Sequence, residues 1–303
     1  MKLIFLGTGD FSQRVFEAVL NSRHTVAAVV CQPDKVNARN KKIVPSPLSV
    51  RAEREGIPVY KFPKIADATE CLQKFSADIM LTASYGQMLT EEVLKLTPHG
   101  VINTHASLLP KYRGASPIQS AIEAGESRSG VTIMRTVLKM DAGDIILQKE
   151  ADIAGLNSEE CFLMMAKLAG AAAVEALDLI EEGKATFTPQ DEKKASYCKK
   201  LKKSDGLIDF NESAERILNK VRAYYGFPGS YFFYQGKSIK ILKADYSDMS
   251  GAPGEILLSD PKKGLVIAAG SGAVSVTEIQ PEGGKAMDVS AFLRGHRLIG
   301  KTD

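Results

Sequence analysis

The chain has 303 residues, of which 44% are hydrophobic and 25% are charged, and its formal net charge is only +3. This length favours two domains, and the absence of any apolar run near the roughly 20 residues of a membrane-spanning helix excludes a transmembrane protein. The apolar stretch after Met1 is too short for a signal peptide, so we expect a cytoplasmic protein without a membrane partner.

Strands and helices alternate along the first 135 residues. Lys2 to Leu6 is an apolar run that ends at Gly7, and the residues from Phe11 to Leu20 repeat at helical spacing. Ser46 followed by Pro47 predicts the start of a second helix. Further strands are predicted at Val26 to Val30, Ile57 to Tyr60, Ile79 to Thr82 and Gly100 to Asn103, with helices near Asp67 to Lys74 and Glu91 to Leu96. The alternation predicts a doubly wound, mostly parallel α/β sheet.

The Gly7-Thr8-Gly9 segment after the first strand partly matches a dinucleotide-binding motif. Position 12 is Ser where the third glycine of that motif would stand, and Asp34 is a poor candidate for its acidic residue. A tight turn between strand and helix is therefore the favoured interpretation, and an NAD-dependent oxidoreductase stays a rival hypothesis.

Asn103 and His105 flank Thr104 at the end of an apolar strand, so their side chains are expected on one face. The carboxyl ends of parallel strands commonly form ligand sites, and the irregular loop from Ala106 to Gly114 follows directly. A turn-like stretch carries Asp141 and Asp144, and either acid could orient His105. A structural role for His105 and a catalytic one are about equally supported by these residues alone.

The last 150 residues no longer show the alternation of strands and helices. Ser158 to Glu182 predicts a long helix, and the polar stretch from Gly183 to Asp205 has the composition of a linker. A helix near Ser213 to Tyr224 is followed by short predicted strands, with a hairpin turn at Tyr234 to Lys237. These strands are predicted at Ser230 to Tyr234, Ser238 to Leu242, Gly254 to Leu258, Leu265 to Ala268 and Val274 to Ile279. Their spacing suggests a small barrel of the oligonucleotide-binding type.

Positive charge is concentrated in two stretches. One loop holds Lys35, Arg39, Lys41 and Lys42 against the single acid Asp34. The other stretch contains Lys193, Lys194, Lys199, Lys200, Lys202 and Lys203. Local positive patches of this kind attract polyphosphate partners. The four cysteines are widely separated and lack a Cys-x-x-Cys pair, so we expect free thiols and no metal site.

The segment from Asn103 to Gln119, NTHASLLPKYRGASPIQ, resembles the signature of methionyl-tRNA formyltransferases and their folate-dependent relatives. Similar segments occur at Gln32 to Asp34, Ser84 to Gly86, Gly130 to Met134 and Gln280 to Arg297, so the resemblance covers nearly the whole chain. The chain departs from the family pattern at Gly9, where the family usually has Pro, and at Ala142, which replaces a small polar residue.

The resemblance implies the roles of several residues. The catalytic residues fall on Asn103, His105 and Asp141, and 10-formyltetrahydrofolate is the implied formyl donor, with no metal. Contacts with the folate are implied for Ser107, Leu108, Leu109, Pro110 and Tyr85. Contacts with tRNA are implied for Arg39, Lys41 and Lys42.

The resemblance also implies the domains and the reaction. The expected domains are a Rossmann-like formyltransferase domain at 1–188, a basic linker at 189–205 and a barrel-like tRNA-binding domain at 206–303. The implied reaction formylates the free amino group of methionyl-initiator-tRNA for translation initiation, and a monomer is expected. Two alternatives stay open: a folate-dependent formyltransferase acting on an amino-sugar nucleotide, and a noncatalytic RNA-binding module.

Overall fold

The computed structural model describes residues 1–36 and 42–303. The strands through residue 198 are β1 (Lys2–Gly7), β2 (Thr25–Cys31), β3 (Lys35–Val36), β4 (Ile43–Val44), β5 (Val59–Lys61), β6 (Ile79–Ala83), β7 (Val101–His105), β8 (Arg113–Gly114), β9 (Arg128–Arg135), β10 (Ile145–Asp152) and β11 (Tyr197–Cys198). The helices in this part are α1 (Asp10–Leu20), α2 (Pro47–Arg54), α3 (Thr69–Gln73), α4 (Glu91–Leu94), α5 (Pro117–Glu123) and α6 (Ser158–Glu181).

A seven-stranded sheet organises the amino-terminal half, with the order β10-β9-β7-β6-β1-β2-β5. The pairs from β7 through β5 are parallel, and β9 is antiparallel to β7. The mostly parallel α/β fold expected from the sequence is therefore confirmed. The central strands are buried on both faces, as parallel strands covered by helices must be, and this explains their continuous apolar runs.

Local chemistry sets the bounds of the first helices. The Oγ of Ser46 accepts a hydrogen bond from the Ser49 N–H at 3.1 Å, so Ser46 caps α2 as the sequence predicts. Between β1 and α1 the chain turns tightly at Gly7, where a Cβ would lie 2.4 Å from the Cβ of Ser12. That close approach explains why glycine is needed there, in agreement with the tight-turn interpretation.

The carboxyl-terminal elements form an antiparallel sheet. They are α7 (Ala214–Ala223), β12 (Ser230–Tyr234), β13 (Lys237–Ser247), β14 (Ile256–Asp260), β15 (Gly264–Ala268), β16 (Ala273–Pro281), β17 (Met287–Asp288) and α8 (Val289–Leu293). The strand order is β12-β13-β16-β15-β14, and β17 pairs with β16. Gln235 and Gly236 both have positive φ in the turn between β12 and β13, which is the predicted hairpin. The expected second domain of antiparallel strands is confirmed.

The chain divides into two compact units. Unit 1 comprises Met1–Pro117, Ser129–Asp152 and Phe162–Cys198, and unit 2 comprises Ile118–Arg128, Ile153–Cys161 and Lys199–Asp303. The predicted linker at 189–205 overlaps both units, and its bounds stay a prediction. Each unit has its own apolar core, centred on residues such as Leu6 and Met80 in unit 1 and Phe232 and Ile267 in unit 2. Within the described ranges, no helix is both long and apolar enough to cross a membrane.

Candidate active site

Strand β7 places two of the three predicted catalytic side chains. Val101 and Ile102 begin the strand and are buried, whereas Asn103 near its carboxyl end is half-buried. The strand pairs with β6 on one side and β9 on the other, so its backbone is hydrogen-bonded along both edges. Asn103 and His105 are two residues apart, which places their side chains on one face of the sheet. The strand thus gives both groups a fixed support.

The amide of Asn103 is oriented by Thr82 on the neighbouring strand. The two residues are paired in the parallel register of β6 and β7. The hydroxyl of Thr82, which is buried, donates a 2.6 Å hydrogen bond to Oδ1 of Asn103. Because Oδ1 is used in this way, the Nδ2 group of Asn103 stays available as a donor for another oxygen. The sequence analysis missed Thr82, and no signal in the sequence identifies it.

The imidazole of His105 lies between a carbonyl and a carboxylate. Its Nε2 is 2.8 Å from the carbonyl oxygen of Tyr112, and its Nδ1 is 3.7 Å from Oδ2 of Asp141. A carbonyl can only accept, so Nε2 carries the hydrogen and donates it. In the neutral ring Nδ1 is therefore unprotonated and can receive a proton, and the resulting cation would face the Asp141 carboxylate.

Asp141 comes to this position from the turn between β9 and β10. Its backbone is in the left-handed region, with φ of 49°, a conformation that costs energy for a residue with a side chain. The Gly114 N–H donates a 2.8 Å hydrogen bond to Oδ2 of Asp141. In the same turn, the carbonyl of Asp144 accepts from the Arg135 N–H at 2.9 Å. The structure thus brings the Asp141 carboxylate against His105.

Thr132 and Gln148 hold the loop from Ser107 to Pro110 by hydrogen bonds to its backbone. The Leu109 N–H donates to Oγ1 of Thr132 at 3.0 Å, and that hydroxyl donates to the Ser107 carbonyl at 2.7 Å. Gln148 donates from Nε2 to the Leu109 carbonyl at 2.9 Å. These contacts fix the loop backbone at Ser107 and Leu109, and the Leu108 side chain is half-buried.

Tyr85 follows β6 and is almost completely buried. Its carbonyl accepts hydrogen bonds from Oγ1 of Thr8 at 3.3 Å and from Nε2 of Gln32 at 3.1 Å. Burial raises the pKa of its phenol to about 12. Within residues 1–36 and 42–303, the buried Tyr85 hydroxyl has no hydrogen-bond partner. A buried hydroxyl without a partner is costly, so it is a group that a polar ligand could satisfy.

Of the three predicted tRNA contacts, the structure describes only Lys42. Lys42 is exposed beside the short hairpin of β3 and β4, whose Val36 and Ile43 are also exposed. Arg39 and Lys41 fall outside the described residues. Their proposed role therefore stays a prediction from the sequence.

Comparison with known proteins finds matches along nearly the whole chain. Residues 1–176 match the family described as "Formyl transferase", and residues 200–297 match "Formyl transferase, C-terminal domain". The methionyl-tRNA formyltransferase of Carboxydothermus hydrogenoformans is 39% identical over 308 residues, covering 100% of this chain and 99% of that protein. Its counterpart in Sulfurihydrogenibium sp. is 37% identical over 306 residues and covers 98% of each.

One solved structure extends the comparison to the fold alone. It is an N-formyltransferase from Helicobacter canadensis, in complex with folinic acid and dTDP-3-aminofucose. It is 18% identical to this chain, with a TM-score of 0.68, and covers 91% of this chain and 99% of that one.

Proposed function

This chain belongs to the formyl transferase family, and from that premise we propose that it transfers the formyl group of 10-formyltetrahydrofolate to the amino group of methionyl-initiator-tRNA. The full-length identity to methionyl-tRNA formyltransferases supports this substrate over an amino-sugar nucleotide. The reaction makes the chain a one-carbon transferase of translation initiation. We place it in the cytoplasm, where translation occurs, and expect it to act as a monomer.

One observation carries the proposed chemistry: β7 carries a carboxamide and an imidazole on one face, and a carboxylate from a separate stretch of chain lies beside the imidazole. The Nδ1 of His105 and Oδ2 of Asp141 are 3.7 Å apart, and Thr82 turns the Asn103 amide so that its Nδ2 group is available. Acyl transfer needs a donor for the oxyanion and a route for a proton, and these three groups can supply both.

The buried surroundings fit a folate. Tyr85 has a hydroxyl without a partner among the described residues, and the loop at Ser107, Leu108, Leu109 and Pro110 has two half-buried apolar side chains, Leu108 and Pro110, on a backbone fixed at Ser107 and Leu109. These residues would hold the formyl donor, 10-formyltetrahydrofolate, which is a substrate and carries the formyl carbon on N10. A flat, partly polar ring system suits a pocket that combines apolar walls with a few placed polar groups.

Each catalytic residue has a distinct part. The Nδ2 group of Asn103 donates to the formyl oxygen as negative charge develops during attack by the methionyl amine. His105 stabilises this charge and accepts a proton at Nδ1 from the attacking nitrogen. The carboxylate of Asp141, 3.7 Å from Nδ1, orients the ring. The new bond joins the amine nitrogen to the formyl carbon, the bond from that carbon to N10 breaks, and N10 leaves with the proton.

The test measures transfer of labelled formyl from 10-formyltetrahydrofolate to methionyl-initiator-tRNA, with an amino-sugar nucleotide as a parallel acceptor. Asn103→Ala, His105→Ala and Asp141→Ala are each expected to lower kcat about 100-fold or more while folate binding changes little. Formylation of the amino sugar alone would replace the proposed acceptor. A folded variant with normal turnover would remove its residue from the scheme.

The basic loop gives a second test of the acceptor. Changing Arg39, Lys41 and Lys42 to Gln is expected to raise KM for tRNA and to reduce the slope of log(kcat/KM) against log salt, because fewer counterions are released. Lys95→Gln is the control, since Lys95 is an exposed lysine directly after the short helix α4. An unchanged salt slope would contradict a tRNA contact by this loop.

A further inference from the structure

Gln190 connects the two stretches of chain that form the candidate active site. It lies in the polar segment after α6, which the sequence analysis read as linker, and its side chain is half-buried in unit 1. Its Nε2 donates to the carbonyl of Asp141 at 2.9 Å and to the carbonyl of Gly143 at 2.7 Å. Both hydrogens of the amide therefore hold the turn that carries the candidate catalytic carboxylate.

The other end of the same amide holds the loop beside His105. Its Oε1 accepts from Nε of Arg113 at 3.1 Å and from a terminal nitrogen of Arg113 at 2.8 Å. The Arg113 side chain is fully buried. Arg113 stands between Tyr112, whose carbonyl accepts from His105, and Gly114, whose N–H donates to the Asp141 carboxylate. One amide thus joins the backbones that contact both members of the imidazole–carboxylate pair.

Asp141 needs such a support. Its left-handed backbone costs some free energy, although aspartate tolerates it better than most residues, so contacts from neighbouring residues help to hold it. Gly143 is packed so tightly that a Cβ would lie 1.8 Å from the Arg135 carbonyl oxygen. The two hydrogen bonds from Gln190 link this turn to the segment after α6. They reach two backbone carbonyl oxygens, which can only accept hydrogen bonds.

We propose that Gln190 is a positioning residue of the formyl transfer reaction, which sets the distance and angle of the Asp141 carboxylate relative to His105. It acts through Asp141 and through the Tyr112–Gly114 segment without touching the substrates. The inference rests on the proposed function for its kinetic consequence, whereas the contacts that carry it are independent of any substrate.

Gln190→Glu tests the donor end of the Gln190 amide separately from its acceptor end. A carboxylate of the same length still accepts from Arg113, but it has no hydrogen to donate to the carbonyls of Asp141 and Gly143. We expect kcat to fall about 10- to 100-fold, because a small displacement of a catalytic group costs that much, while KM for the folate stays within about threefold. Gln190→Met removes both the donor and the acceptor of the amide, so it is expected to lower kcat at least as much. Gln13→Ala is the control, since its half-buried amide donates to Glu17 on the same helix.

A double-variant cycle distinguishes positioning from a general loss of structure. If Gln190 acts through Asp141, then Gln190→Glu added to Asp141→Asn lowers kcat no further than about twofold. Additive losses, or a parallel rise in KM with a lowered melting temperature, would overturn the proposal. A kcat for Gln190→Glu within about twofold of the unmodified protein would also overturn it.

Amide hydrogen exchange tests whether Gln190 holds the turn that carries Asp141, without a measurement of activity. The Gly114 N–H donates to Asp141, so its exchange should become about tenfold faster in Gln190→Glu and in Gln190→Met, while Phe5 in β1 stays protected. Unchanged exchange at Gly114 would refute the role of Gln190. An unmodified protein that forms no formyl product would instead refute the proposed function, and the exchange result would still decide whether Gln190 holds Asp141.

Discussion

Replacing Thr82 with valine tests whether the orientation of the Asn103 amide matters for turnover. Valine keeps the shape and the β-branched backbone preference of threonine and removes only the hydroxyl that donates to Oδ1 of Asn103 at 2.6 Å. Without this donor, the amide can rotate so that Oδ1 and Nδ2 exchange places. An oxygen facing the formyl oxyanion would repel it, so the rotated form is inactive.

The magnitude follows from the strength of one hydrogen bond. A neutral hydrogen bond contributes about 0.5–1.5 kcal/mol net, and 1.4 kcal/mol corresponds to a factor of about 10. Losing the bond to Thr82 therefore shifts the balance between the two amide orientations by roughly 2- to 10-fold, and kcat should fall by a factor up to that size. Asn103→Ala removes the donor itself and should cost about 100- to 1,000-fold, by analogy with other oxyanion donors.

The assay compares kcat for Thr82→Val, Thr82→Ser and Asn103→Ala with saturating folate and methionyl-tRNA. Thr82→Ser keeps the hydroxyl and is expected to stay within about twofold of the unmodified protein. Thr82→Val added to Asn103→Ala should have no further effect, since no amide is left to orient. A Thr82→Val enzyme with full turnover, or a loss that adds to that of Asn103→Ala, would refute the reasoning.

Two further predictions concern stability. Hydrogen bonds from Arg113 and Lys139 lower the pKa of Glu192 from 4.5 to about 2, so its ionised form stabilises the fold fully above pH 4.5 and this contribution disappears as the pH falls towards about 2. Glu192→Gln should accordingly flatten the acid loss of stability in urea titrations between pH 5 and about 2.5, and parallel curves would contradict this. A Cβ on Gly130 would lie 2.2 Å from the Lys149 carbonyl oxygen, so Gly130→Ala should lower the free energy of unfolding by about 1–3 kcal/mol. Gly9→Ala, where a Cβ meets nothing within 4 Å, should change it by no more than about 0.5 kcal/mol.

Elements with a strong local signal could be predicted from the sequence. Strand β12 has the predicted bounds, Ser230 to Tyr234, and α2 begins after its predicted cap at Ser46. Strand β10 was missed, because it is only partly buried and its second half, from Gln148 to Asp152, is polar or charged except for Ala151. The helix predicted near Asp67 to Lys74 is present, as a short 3-10 helix at Ile65–Ala68 that continues into α3. Local pattern thus identifies the buried elements better than the exposed ones.

In the candidate site, too, some features could be predicted from local sequence pattern and others could not. Period-two alternation predicts that Asn103 and His105 share a face, because both residues lie on one strand. The contact of Thr82 with Asn103 depends on the register between two parallel strands, which no local pattern records. Gln190 was assigned to a linker on its polar surroundings, yet its amide is satisfied by Arg113 and by the Asp141 turn. Polar composition indicates a solvated loop only when the polar groups lack partners in the fold.

The two halves of the site are supported in different ways, and this difference fits their chemistry. Asn103 and His105 stand on a strand that is paired along both edges, so an oxyanion donor there is fixed before the substrate arrives, as electrostatic preorganisation requires. Asp141 stands on a turn with a left-handed backbone, held by the Gly114 N–H and by Gln190. Two of the hydrogen bonds that hold the turn come from Gln190 in a separate chain segment, so substitutions in the segment after α6 should disturb proton transfer before they disturb the oxyanion contact. The effect of a remote substitution on kcat therefore depends on which of these two supports it reaches.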